Sequence, residues 1–145
     1  MDEAEAAENR SAGSVSIRVR YFETDQMGVA HHANYFVWFE AARTEFCRRF
    51  GIDYAGMEKA GQFLPVVDAR CRYRSPAHYD DLLVITVSVL ERSRRMLKMG
   101  YTVTCGDIRV ADGETMQILV DAQGKARSFP QEIARLFDRT GDEPA

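Results

Sequence analysis

The first patterned segment of the chain alternates apolar and polar side chains, which indicates a half-buried β-strand. Its apolar positions are Val15, Ile17, Val19 and Tyr21, and serine and arginine lie between them. Tyr21 falls on the same face as the aliphatic residues, so we expect it to pack in the core. The strand is predicted to deliver the chain to Asp25.

The period then changes, and the next segment predicts one helix of about four turns over residues 35 to 50. Apolar residues recur there at helical spacing, at Phe36, Phe39, Ala42, Phe46 and Phe50. Asn34 is suited to cap the start of this helix, and Gly51 is suited to end it. The first half, YFVWFEAA, is apolar almost all round, which is typical of a helix that other elements enclose.

Four long alternating segments follow the helix and predict antiparallel strands. They cover residues 67 to 73, 83 to 90, 97 to 105 and 108 to 120. Gly106-Asp107 and Asp112-Gly113 supply turn residues between or within them. Shorter helices are predicted over residues 53 to 61 and after Pro130. This order of elements predicts an α+β fold in which one sheet curls around one helix.

Composition and charge narrow the class of protein. A chain of 145 residues fits one domain, placed at 14 to 140 between a disordered lead-in, 1 to 13, and a loose tail, 141 to 145. The net charge of −3, with no long basic stripe, argues against nucleic acid as a partner. No apolar run reaches the roughly 18 residues of a membrane span. The three cysteines form no CxxC pair, so we expect reduced thiols and a cytoplasmic location.

The segment YFETDQMGVAHHANYFVWFEAAR, residues 21 to 43, carries the candidate chemistry. Asp25 lies between a predicted strand and a helix start, where backbone NH groups are free to bind negative charge. The amides of His32 and Ala33 could hold a developing oxyanion while Asp25 attacks a carbonyl or activates water. Gly28 allows the backbone to approach a ligand closely. Taken alone, the aspartate and the glycine are equally typical of a plain turn.

Two further groups have both a structural and a functional interpretation. His31 and His32 raise the question of a metal site, but adjacent histidines in a loop rarely point the same way. We expect one of them to hydrogen-bond at the helix entrance and the other to face substrate. Arg94 and Arg95 lie either in a solvated turn or on a positive rim for the phosphates of a nucleotide-tailed thioester. Three more arginines alternate on one outward strand face and could extend that rim: Arg70, Arg72 and Arg74.

The stretch YFETDQMGVAHHANYFVWFEAART, continuing through YRSPAHYDDLLVITVSV, resembles the hotdog-fold acyl-CoA thioesterases of the 4-hydroxybenzoyl-CoA thioesterase type, most closely their YbgC-like branch. The resemblance implies a sheet of about five strands around the helix, protomers that pair sheets edge to edge, and active sites at the protomer interface. It also implies that Asp25 is the catalytic nucleophile or general base, with Tyr21 and His32 as its companions. The substrate-binding residues that we predict are Gly28, Val29, His31, Ala33, Arg94 and Arg95.

We therefore expect a homodimer or homotetramer that hydrolyses acyl-CoA to free acid and CoA without a metal or other cofactor. Amides at the helix start would polarise the thioester carbonyl. Two alternatives remain open. A hotdog hydratase or dehydratase would act on enoyl-CoA, although its motifs space the histidine and carboxylate differently. A non-catalytic module that binds acyl-CoA or an acyl carrier would not need Asp25.

Overall fold

The computed structural model describes residues 13 to 139, which form one antiparallel sheet packed against helices. The strands are β1 (Ser14–Arg18), β2 (Val66–Tyr73), β3 (Leu82–Arg92), β4 (Met96–Cys105) and β5 (Ile108–Ile118), in the order β1-β3-β4-β5-β2. The α-helices are α1 (Asn34–Arg49), α2 (Tyr54–Lys59) and α3 (Gln131–Arg139). Except for Gly13, the predicted lead-in lies outside the described residues, as does the predicted tail.

The core lies between α1 and one face of the sheet. Alternate residues of a strand point to the same face, and on β3 and β4 these are Leu83, Ile85, Val87, Leu97, Met99 and Val103, all buried. From the helix, Trp38, Phe39, Ala42 and Phe46 are buried against them. The predicted α+β arrangement, with five antiparallel strands around one long helix, is confirmed.

α1 is less enclosed than its sequence predicts. Phe36 is 38% exposed and Val37 is 55% exposed, because the single sheet covers only one side of the helix. A helix that is apolar almost all round therefore leaves part of its apolar surface uncovered in one chain.

β1 is shorter than predicted, and the error changes the position of Tyr21. The strand ends at Arg18, and Tyr21–Glu23 form a short 3-10 helix. Glu23 causes the change, because its carboxylate accepts a hydrogen bond from the backbone NH of Arg20 at 2.8 Å and so folds the chain back. Tyr21 is consequently 76% exposed rather than packed in the core.

Asp112-Gly113 also differs from its predicted use, since it lies inside β5 rather than in a turn. Gly113 pairs with Tyr101 on one side and with Cys71 on the other. A Cβ atom at this position would lie 2.3 Å from Cε2 of Phe39, so the glycine makes room for a ring of α1. The predicted turn at Gly106-Asp107 is confirmed and joins β4 to β5.

β2 forms one edge of the sheet, and nearly all of its residues are exposed. Val66 is 42% exposed and Val67 is 52% exposed, and the register with β5 shifts between Val66 and Asp68. Apolar side chains on an open sheet edge favour pairing with another chain. Within residues 13 to 139, no helix is both long enough and apolar enough to cross a membrane.

Candidate active site

Glu23 fixes the loop between β1 and α1 to the rest of the chain. Its side chain is buried, and it accepts hydrogen bonds from the Arg20 amide at 2.8 Å and from the Trp38 indole at 2.9 Å. Burial alone would raise the pKa of this carboxyl, but the hydrogen bonds from Arg20 and Trp38 outweigh it and lower the pKa. The loop is therefore tied to α1 by a buried carboxylate.

Asp25 lies in the tight turn that follows. Its backbone NH donates to the carbonyl of Val29 at 2.9 Å, and the NH of Gly28 donates back to the Asp25 carbonyl at 3.0 Å. Gly28 has φ +78°, a conformation that side chains other than glycine rarely adopt. The Oδ1 atom of Asp25 accepts from the amides of Met27 at 2.8 Å and Val29 at 3.4 Å. Its Oδ2 atom has no partner among residues 13 to 139.

The start of α1 lies beside this turn. The NH of His31 donates to the carbonyl of Glu23 at 2.8 Å, and the side-chain amide of Asn34 donates to the same carbonyl at 2.8 Å. Asn34 is the cap that the sequence predicts, but Ala33 takes that position, and the Asn34 side chain joins the helix to the loop instead. The NH of Ala33 donates to Nδ1 of His31 at 3.1 Å. Within the described chain, the NH of His32 has no partner.

Asp25 and His32 line one cavity of about 380 Å³. The other lining residues are Val29, Ala30, Tyr35, Tyr73, Arg74, Ser75 and Pro76. The cavity thus contains a carboxylate, an imidazole, two phenols and one guanidinium. Arg74 is ion-paired with Asp112.

Tyr35 and Tyr73 form the aromatic wall of this cavity, and the sequence did not identify them as site residues. Their rings meet edge to face at 4.9 Å. The Tyr73 hydroxyl donates to the carbonyl of His32 at 2.9 Å. Burial raises the pKa of both phenols to about 12, so they stay neutral hydrogen-bond donors near pH 7. The alternation of β2, which points Tyr73 inward together with Cys71, was the available signal.

Several predicted site residues lie elsewhere in the chain. Tyr21 packs edge-on against Tyr79 at 5.6 Å and does not line the cavity. Arg94 and Arg95 lie in the β3–β4 turn, at the far end of an eleven-residue strand from the cavity. At about 3.3 Å per residue, that end of β3 is roughly 30 Å from its start. Arg94 donates to the hydroxyl of Ser128 there.

A larger cavity of about 510 Å³ lies on the outer face of the sheet, where Arg70 and Arg72 point as predicted. Its charged lining residues Arg70, Asp112 and Glu114 form ion pairs on the sheet surface. We place the candidate site in the smaller cavity because its lining includes Asp25, with an unpaired carboxylate oxygen, and His32, with a free amide. Among residues 13 to 139, no group of three or more side chains is arranged to hold a metal ion.

Comparisons with known proteins place the chain in a family. The model of the family described as "Thioesterase superfamily" matches residues 27 to 111, more than half of the chain. The acyl-CoA thioester hydrolase YbgC of Escherichia coli O157:H7 is 28% identical, over 83% of this chain and 92% of that protein.

Two solved structures are similar over most of the chain. A hypothetical protein from Aquifex aeolicus has a TM-score of 0.82 and 36% identity, covering 86% of this chain and 98% of that one. The DHNA-CoA thioesterase of Staphylococcus aureus has a TM-score of 0.85 and 27% identity, covering 90% and 91%.

Proposed function

The chain belongs to the thioesterase superfamily, and on that premise we propose that it hydrolyses acyl-CoA thioesters in the cavity that contains Asp25 and His32. The family identified from the sequence, the hotdog-fold thioesterases, is confirmed. The names of relatives that act on acyl-CoA and on DHNA-CoA support a CoA thioester as substrate. The observation that carries the proposal is that Asp25 and His32 line the same cavity, and that within the described chain the first has an unpaired carboxylate oxygen and the second an unpaired helix-start amide.

In the proposed reaction, the thioester carbonyl oxygen accepts a hydrogen bond from the NH of His32, and the positive end of α1 stabilises the negative charge that develops on that oxygen. As a nucleophile, Asp25 bonds to the acyl carbon while the C–S bond breaks and CoA leaves as a thiolate. Water then cleaves the anhydride and restores the carboxylate. As a general base, Asp25 instead takes a proton from the water whose oxygen bonds to the acyl carbon. The C–S bond then breaks, and the proton passes from Asp25 to the leaving CoA sulfur. Both routes give free acid and CoA and need no redox step.

Tyr73 supports this arrangement through the main chain. Its hydroxyl donates to the carbonyl of His32, which fixes the peptide that joins His32 to Ala33. Because a hydrogen bond to a peptide carbonyl polarises the NH of the same peptide, this contact strengthens the NH of Ala33 as a donor. The His32 imidazole borders the reacting centre, where it can orient substrate or transfer a proton.

We also propose that the site is completed by a second copy of the chain. β2 is an open, exposed edge with two apolar residues, Val66 and Val67. When two such strands pair antiparallel about a two-fold axis, each end of one sheet lies beside the opposite end of the other. The β3–β4 turn of the partner would then lie on the same side as Asp25. This arrangement would let Arg94 and Arg95 contact the CoA phosphates of the neighbouring site.

The Asp25→Asn variant tests the function. It keeps the shape and the acceptor oxygen of the turn but removes the nucleophile or base, so kcat/KM for acyl-CoA should fall by roughly 10²- to 10⁴-fold. Thiol release is measured with short, long and aromatic acyl-CoAs. The matched control is Asp107→Asn in the exposed β4–β5 turn, which should retain full activity. Equal rates for both variants would contradict the assignment of Asp25.

A further inference from the structure

The two adjacent histidines at the start of α1 are placed differently. His32 lines the cavity with Asp25, whereas His31 lies outside it and stacks on the His32 ring, with centroids 4.2 Å apart and planes 27° apart. Both side chains are exposed to solvent in the chain. The proposed chemistry uses His32 and leaves His31 without a role.

His31 is hydrogen-bonded to a main-chain group of the proposed site. Its Nδ1 atom accepts the NH of Ala33 at 3.1 Å. A ring nitrogen that accepts a hydrogen bond carries no proton, so this contact assigns the neutral tautomer with its proton on Nε2. The NH of Ala33 is therefore occupied, whereas the NH of His32 is not.

We propose that His31 controls whether the oxyanion meets one or two amide donors. Neutral His31 holds the NH of Ala33, so only the NH of His32 is available to the substrate. A protonated imidazole has no acceptor at Nδ1. Protonation of His31 therefore releases the NH of Ala33 toward the oxyanion. The inference rests on the proposed function, which places the oxyanion at this helix start.

The surroundings of His31 allow the effect to be isolated. The chain has three histidines, His31, His32 and His78, and imidazole is the only side chain whose usual titration falls between pH 5 and 8. The ionisable groups that border the pair come from three elements: Glu23 and Asp25 in the loop, Tyr35 on α1, and Tyr73 with Arg74 at the end of β2. The Glu23 carboxylate is turned inward onto Trp38.

Two substitutions separate the states of His31 and should shift activity in opposite directions. His31→Phe keeps a flat ring against His32 but removes the acceptor, so the NH of Ala33 is free at every pH. His31→Asn provides an oxygen that can accept an amide two residues on, as aspartate and asparagine do at helix starts, so that NH stays occupied. The control is His78→Phe, which changes a histidine outside the cavity.

The experiment records kcat for an acyl-CoA between pH 5 and pH 9, with the same proteins followed by nitrogen-15 NMR of histidine and alanine. For the wild type we expect kcat to rise by up to roughly 100-fold as His31 gains its proton, since one oxyanion donor is worth that order of rate. The Ala33 amide resonance should shift over the same pH range. Relative to the wild type, His31→Phe should be faster at high pH, His31→Asn should be slower at low pH, and His78→Phe should show the wild-type profile.

The outcomes distinguish this inference from the proposed function. If the wild type hydrolyses acyl-CoA but all variants share its pH profile, His31 has no such role and the function stands. An Ala33 resonance that does not follow the titration of His31 also overturns the inference. If the wild type releases no thiol at any pH, the proposed function is wrong and the inference is lost with it.

Discussion

Glu23 joins three parts of the site through one residue. Its carboxylate holds Arg20 and Trp38, and its carbonyl accepts from His31 and Asn34. The 3-10 helix, the turn of Asp25 and the start of α1 are thus fixed relative to one another. The sequence indicated the candidate site residues of this loop but not Glu23, which supports them, since the partners of Glu23 become visible only in the folded chain.

We expect Glu23→Gln to destabilise the fold by about 1.5–3 kcal/mol at pH 7, because it removes charge-assisted hydrogen bonds from a buried site. The pKa of Glu23 is lowered from 4.5 in the folded state. The carboxylate therefore stabilises the wild type fully above pH 4.5, and this contribution is lost as the pH falls through the lower, folded pKa. Urea unfolding at pH 7 and near pH 3 measures the difference.

The stability gap between Glu23→Gln and the wild type should narrow as the solution is acidified. The exposed Glu58 of α2 supplies the control, and Glu58→Gln should change the free energy of unfolding by no more than about 0.5 kcal/mol. A gap that stays constant over the whole pH range would show that the charge of Glu23 is not what stabilises the loop.

At the scale of elements, the contact between α1 and β5 depends on a missing side chain. The Phe39 ring lies against Gly113 and stacks on Tyr101, with centroids 4.4 Å apart. This contact explains why a pair of residues with turn chemistry occurs inside a strand. Local composition indicated a turn, and packing against a helix more than 70 positions earlier in the chain overrode it.

Gly113→Ala should therefore destabilise the protein by about 1–3 kcal/mol, since its methyl group would overlap a buried ring. Gly100→Ala in β4 is the matched control. Its Cβ would lie 3.0 Å from the side chain of Leu90, which is exposed and can move aside, so the loss should be smaller. Thermal unfolding of both variants checks this, and equal losses would contradict the role given to Phe39.

The element pattern could be predicted from the sequence wherever one physical signal dominates. The four later strands alternate cleanly, and their predicted ranges agree with β2 to β5 within two residues at each end. The end of β1 could not be predicted, because the side chain of Glu23 competes there with the strand. The candidate residues Asp25 and His32 lie within one short segment, so the sequence alone could propose them together. Tyr35 is buried in the core, as its sequence predicts, and also lines the cavity, whereas Tyr73 joins that lining only by folding.

For the whole molecule, the open edge of β2 gives a direct test of assembly. Val67→Lys places a charge on that edge without disturbing the single chain, because Val67 is already 52% exposed. We expect the molar mass in solution to fall to 16.5 kDa, that of one chain, together with a large loss of kcat/KM. Light scattering after gel filtration measures the mass.

The control for this prediction is Ile108→Lys, because Ile108 is 58% exposed at the opposite end of β5 from the residues that pair with Val66. The Ile108→Lys variant should keep both the molar mass in solution and the kcat/KM of the wild type. A Val67→Lys protein that is monomeric and fully active would show that one chain suffices for catalysis.

The proposed pairing of β2 with its own copy has a further consequence for how this protein can vary. In that pairing a substitution in β2 occurs in both protomers, so one that weakens a single contact by a given factor weakens association by the square of that factor. Neutral drift along this strand should accordingly be slower than along equally exposed positions on β1.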